Sequence, residues 1–247
     1  MKILSVLLAL SLSACLSSGL APGKSSSEAA SVNTQLAIEY MKLDKLAPAR
    51  EFIERAVRQD SKSPSVLATA GMIYERLGEM ANAERAYSSA ARLGKDDPNI
   101  QNNFAGFLCR TGKTIAGEKL FDQVARNPMY QTPEVALVNA GVCVRGVGND
   151  VDSERYFRRA LVIRQNLPEA LLQLGNLSLD RGDNAQALDL AQRYLGANPP
   201  TPDILWLALR AERKLGDATA AAGYARHLQS DFPDSEQAQL MRSGASR

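Results

Sequence analysis

The 247-residue chain has one histidine, one tryptophan, three cysteines and a net charge of only +2. Each scarcity removes a class of function. His227 stands alone, so no second imidazole is free to activate a serine or cysteine, and a His/Cys zinc site lacks its ligands. Twenty-nine Lys and Arg against 27 Asp and Glu give no field suited to a polyanion, which argues against nucleic acid as a partner. The apolar run Ile3 to Leu12 rises about 15 Å as a helix, roughly half of a ~30 Å hydrocarbon core, and is too short for a permanent span. What remains, 45% hydrophobic and 23% charged, is an ordinary globular balance. No acid–base pair stands out. Gly146-Val147-Gly148 contains a GxG, but it ends a helical pattern and does not follow a strand, so it lacks the context of a phosphate cradle. The residues point to no catalyst, metal, cofactor or small-molecule substrate.

The amino terminus reads as an address. Lys2 precedes the apolar run, and Leu12-Ser13-Ala14-Cys15 closes it with small residues before a cysteine. An ordinary signal peptide with a chance cysteine fits this, but Leu-Ser-Ala-Cys also resembles a bacterial lipobox, in which the cysteine is acylated and becomes the first residue. Ser17 to Ser31, rich in Ser, Ala and Gly with almost nothing able to pack, supports the second reading, because an anchored domain needs a tether. The expected division is a removed signal over 1–14, a lipidated flexible tether over 15–30, a repeat domain over 31–235 and a short cap or tail over 236–247. Acyl chains on Cys15 would hold the protein stably at a membrane. Leu16 is not Asp, and in Gram-negative lipoproteins Asp at this place retains the protein in the inner membrane. That resemblance implies the periplasmic face of the outer membrane.

Behind the address lies a period. Gly78, Gly112, Gly148, Gly182 and Gly216 are spaced 34, 36, 34 and 34 residues apart. Seven residues before them stand Gly71, Ala105, Gly141, Gly175 and Leu209, with Ala37 one period earlier. Five residues after them stand Ala83, Gly117, Ser153, Ala187 and Ala221, matched by Ala49. Four further on come Ile53, Tyr87, Phe121, Phe157, Ala191 and Ala225. Small residues on two successive helices let them approach, the glycine suits a left-handed helix end, and Pro64, Pro98, Pro168 and Pro202 suit first-helix starts. The spacing predicts an all-α, right-handed superhelical solenoid of six helix-turn-helix units. It resembles the tetratricopeptide repeat, most cleanly in Leu67, Gly71, Tyr74, Gly78, Ala83, Tyr87 and Ala90. Asp44 replaces the turn glycine in the first unit. Ala191 and Ala225 replace an aromatic in the last two, where looser packing is expected.

In such a solenoid the first helices line a concave groove that takes a peptide or partner segment. The register directs Ile38, Met41, Met72, Arg76, Asn102, Asn103, Gly106, Val138, Asn139, Val142, Gln173, Asn176 and Leu179 toward it. Side-chain amides both donate and accept, so the Asn and Gln residues suit an extended backbone, though solvated amides fit the same pattern. The groove centre lacks the lysine set that clamps a terminal carboxylate. Two extra residues place Asn127 to Pro133 in a protruding loop, whose Met129 and Tyr130 either meet a partner or fold back onto a helix. Cys109 and Cys143 lie one repeat apart near the ends of adjacent first helices. Two readings stand: an inter-repeat disulfide, suited to an oxidising compartment, or two buried thiols. Trp206 faces the groove or the terminal segment.

A narrower resemblance follows. Asn102-Asn103-Phe104-Ala105-Gly106-Phe107-Leu108-Cys109-Arg110-Thr111-Gly112 is similar to the NNYGxFLCxxG segment of the PilW/PilF family of type IV pilus biogenesis lipoproteins. Asn139-Ala140-Gly141-Val142-Cys143 and Glu154 to Leu161 fit as well. The family combines a lipobox, a tether and six tetratricopeptide repeats. Its members act as pilotins, helping secretin subunits to reach and multimerise in the outer membrane in support of pili and twitching motility. The resemblance implies a non-enzymatic protein whose partner is a type IV pilus secretin subunit. An outer-membrane repeat lipoprotein that scaffolds peptidoglycan enzymes or the barrel-assembly machinery is the alternative.

Overall fold

The computed structural model describes residues 22–244, and among them thirteen helices and no strand. Twelve form six antiparallel pairs: α1 (Pro22–Lys42) with α2 (Leu46–Gln59), α3 (Pro64–Arg76) with α4 (Met80–Leu93), α5 (Pro98–Arg110) with α6 (Thr114–Arg126), α7 (Pro133–Arg145) with α8 (Asp150–Ile163), α9 (Pro168–Asp180) with α10 (Asn184–Ala197), and α11 (Pro202–Leu215) with α12 (Ala218–Asp231). The short α13 (Glu236–Arg242) closes the far end. The pairs stack as a right-handed solenoid of six repeats. No described helix is long and apolar enough to cross a membrane.

The turn inside each pair explains the glycine period. In the second repeat the Glu79 amide donates to the Tyr74 carbonyl at 2.8 Å and the Gly78 amide to the Glu75 carbonyl at 3.0 Å, a Schellman closure that needs a left-handed residue. Gly78 meets that need at φ 75°. The same two bonds recur at Gly112, Gly148, Gly182 and Gly216. The first repeat makes them too, with Asp44 forced to φ 55°, the one non-glycine positive φ among the described residues. First helices start on proline at Pro64, Pro98, Pro133, Pro168 and Pro202, where a missing amide costs nothing. Pro133, read as loop from sequence, therefore belongs to the series.

Packing inside each pair follows the small-against-large register. A Cβ on Gly141 would stand 2.5 Å from the Phe157 ring, and one on Gly71 would stand 2.8 Å from that of Tyr87, so only glycine lets those helices close. The looser packing expected of the last two repeats is absent from the fifth but present in the sixth, where Ala225 is half-buried and the buried residues of α12 are Ala221 and Leu228. Leu207 of α11 reaches back to 2.5 Å from the place of a Gly175 Cβ, taking the room that an aromatic fills elsewhere. Ala191, Leu205, Leu207, Leu209 and Leu228 are all fully enclosed.

Two further boundaries differ from expectation. Helix α1 starts at Pro22, inside the stretch read as a tether ending at residue 30. Ala30 is buried, and the Ser26 hydroxyl donates to the Gln59 carbonyl at 2.5 Å. Alanines and serines that look unpackable alone become a helix once α2 supplies a surface. Cys15 and residues 15–21 of the tether lie outside the described residues. In the six-residue loop 127–132 the two adjacent side chains part: Met129 is 72% exposed, whereas Tyr130 is 8% exposed and belongs to the core. Tyr130 is thus not a protruding residue. Trp206 is buried in the same core, which also contains Ala238 of α13.

Candidate functional site

Alternate helices α1, α3, α5, α7, α9 and α11 touch one another and form the inner layer, with α2, α4, α6, α8, α10 and α12 outside. The groove holds a cavity of about 650 Å³ across α3, α5 and α7. Met72, Asn102, Asn103, Gly106, Asn139 and Val142 line it together, as the repeat register predicts. Asn139 Nδ2 donates to Asn102 Oδ1 at 3.4 Å, a loose bond that leaves both amides accessible to a bound backbone. Met72 and Val142 are exposed apolar residues at its rim, and Asn103 is exposed between them.

Three expected groove residues do not reach this cavity. The Arg76 guanidinium pairs with Asp44 at 2.9 Å. Gln173 accepts from Arg145 Nη1 at 3.0 Å, and Arg145 also pairs with Asp180 at 2.7 Å. Asn176 is half-buried on α9, beyond the cavity's lining. Of the wider set, Val138 and Leu179 are core residues.

The cavity floor contains what sequence alone left undecided. Cys109 of α5 and Cys143 of α7 are joined as a disulfide with Cα atoms 5.5 Å apart, and both line the cavity. They stand 34 residues apart, one repeat length, although their distances from the turn glycines differ by two positions. Other lining residues were missed, among them Thr69, Ile100 and Arg110. Arg110 had a signal: Glu75 lies about one repeat before it.

The electrostatics of the groove are closed upon themselves. Arg110 binds Glu75 through Nε at 2.5 Å and Nη2 at 2.9 Å, and the Tyr87 hydroxyl donates to the same carboxylate at 3.2 Å. The hydrogen bond that it donates to Glu75 pushes the Arg110 guanidinium up, against its partial burial. Burial, and then the neighbouring Glu75 charge, push the Tyr87 phenol up. Each arginine that ends α3, α5 or α7 is thereby neutralised by an acid one repeat away. The groove presents amides, an apolar rim and a disulfide, with little net charge. Among the described residues no cluster of three or more His, Cys, Asp or Glu is arranged to hold a metal. His227 lies on the outer surface beside Asp231, 3.0 Å away.

Fold and groove together define a helical-repeat protein built for docking. A tetratricopeptide repeat family model matches residues 34–98 and 172–236, more than half of the chain, and the chain belongs to that family. The unmatched stretch between them holds the insertion, the disulfide and the groove asparagines. The chain is similar to the type IV pilus assembly protein PilF of Pseudomonas aeruginosa, 21% identical over 233 residues that span 93% of this chain and 92% of that protein. It is also similar in structure to PilW, a widely conserved type IV pilus biogenesis factor, with TM-score 0.74, 29% identity and coverage of 86% of this chain and 98% of that one. The solved PilF structure shares the fold, with TM-score 0.70 and 19% identity over 90% of this chain and all of that one.

Proposed function

We propose that this chain acts in type IV pilus biogenesis as a pilotin-type docking protein. It holds a segment of the secretin subunit in the α3–α5–α7 groove while acyl chains on Cys15 moor it to the periplasmic face of the outer membrane. The observation that carries this reading is the likeness to PilF and PilW along nearly the whole chain. The groove gives it chemical content. Asn102, Asn103 and Asn139 offer donors and acceptors to an extended backbone, and Met72 and Val142 offer contact to an uncharged apolar side chain. Nothing in this role requires turnover.

The anchor and the groove would work in series. Seven residues from Cys15 to Pro22 reach at most about 25 Å, so a lipidated chain keeps its repeats close to the bilayer. The test is made in the native cell with two variants. Cys15→Ala should yield a folded, soluble chain and secretin monomers stranded in the inner membrane. Asn103→Lys, at an exposed position, should stay at the outer membrane and lose most secretin multimer and twitching. Normal secretin multimer in both variants would refute the reading. Capture of peptidoglycan hydrolases or barrel-assembly subunits in place of secretin would favour the scaffolding alternative.

A further inference from the structure

The six repeats use one kind of joint, and the first repeat exposes an unused half of it. Twelve residues before each turn residue stand Val66, Ile100, Ala136, Ala170 and Ile204, and eight before stand Ala70, Phe104, Ala140, Leu174 and Ala208. On these first helices the two positions pack toward the second helix of the preceding repeat. Val66 and Ala70 share a core cluster with Ala49, Ile53 and Ala56 of α2, and Ile100 shares one with Ala90 of α4. The five residues of the first set are at most 6% exposed. In α1 the same two positions are Val32 and Leu36, equally apolar, yet 61% and 38% exposed. No preceding second helix stands before α1 among the described residues.

We infer that this face of α1 is a docking site for an amphipathic helix of a partner protein, seated as a supernumerary second helix. The joint itself specifies the occupant. It is heterologous, a first-helix face receiving a second-helix face, so two α1 faces do not complement each other. A second copy stacked head to tail would have to offer α12, and α13 already covers that end, with Ala238 buried and Leu240 and Met241 packed on the core. Among the described residues one end of the array is thus capped and the other bare, whereas repeat arrays ordinarily present a polar face at both ends. The occupant carries a stripe of alanine-to-leucine-sized residues at i, i+3 and i+4, like Ile53 and Ala56 of α2. The site is separate from the groove and does not depend on the secretin reading.

The probe is a helix-constrained peptide with the sequence Leu46–Gln59, the segment that meets this joint in the second repeat, titrated against the whole chain. Saturable binding is expected, with affinity at least tenfold weaker for Val32→Asp/Leu36→Asp and unchanged for Asn103→Lys. A scrambled peptide should not bind. Far-UV circular dichroism establishes that the double variant is folded, and Leu36→Lys alone should give an intermediate loss. Absence of saturable binding, or equal binding by the double variant, overturns the inference. So does concentration-dependent self-association of the chain that the double variant abolishes, since that makes the occupant a second copy.

Discussion

Replacing both Cys109 and Cys143 by alanine removes a cross-link between residues 34 apart in sequence. The chain-entropy relation assigns such a loop about 3–4 kcal/mol of stability at room temperature, through restriction of the unfolded chain. For a folded unit of this size each kcal/mol moves the melting temperature by roughly 2–4 °C, so the expected drop is about 7–14 °C. The effect should also be local. Repeats couple chiefly to nearest neighbours, and the bridge ties α5 directly to α7 across the groove floor, so its loss should raise hydrogen exchange in α5–α8 before α11 and α12. The assay is thermal unfolding followed by far-UV circular dichroism, with the parent protein measured oxidised and after reduction. Reduced parent and double variant should melt together. A drop below about 2 °C in both, or two titratable thiols in untreated protein, refutes the reasoning.

Four other outcomes are expected. Gly141→Ala forces a methyl against the enclosed Phe157 ring and should cost about 1–3 kcal/mol in urea unfolding, recovered in part by Phe157→Leu. Asp44→Gly relieves the left-handed strain at φ 55° and gives up only an exposed ion pair with Arg76, so a gain of about 0.5–1 kcal/mol is expected from the same measurement. The Tyr156 phenol is pushed up to about 12 by burial first and then by its hydrogen bond to Glu118. A folded value above the unfolded one, near 10, means that its contribution is complete below about pH 10 and is lost as pH rises toward 12. Tyr156→Phe should flatten that alkaline loss in a pH series of melts. Finally, because Arg76, Arg110 and Arg145 are held by carboxylates, segment binding in the groove should change less than about threefold between 0.1 and 1 M salt, as read by titration calorimetry, even though the Debye length falls from about 10 to 3 Å.

What the sequence makes legible here are the constraints that act on single residues. A turn that needs positive φ selects glycine whatever surrounds it, so Gly78, Gly112, Gly148, Gly182 and Gly216 mark the pairs without any knowledge of packing. A helix start tolerates proline for an equally local reason. The groove's centre follows from these marks by counting, which is why Met72, Asn102, Asn103, Gly106, Asn139 and Val142 fall together in one cavity.

The readings that failed depend on what a neighbouring element brings. Ala191 looks like a missing aromatic until Leu207 arrives from the next repeat and takes up the space; volume is conserved across the joint, not within the repeat. Tyr130 and Met129 are equivalent as loop residues, and only the core beneath the loop separates them. Ser26 and Ala30 read as linker because their partner surface, α2, lies some thirty residues on, and Gln59 is what the Ser26 hydroxyl finds. The unexpected exposure at α1 has the same origin with the opposite sign. Val32 and Leu36 follow the rule of the joint, and among the described residues no neighbour covers them. An apolar pair that keeps the array's pattern without the array's contact among the described residues is what the helix-docking experiment interrogates, and that is why it comes ahead of any test of the outer surface.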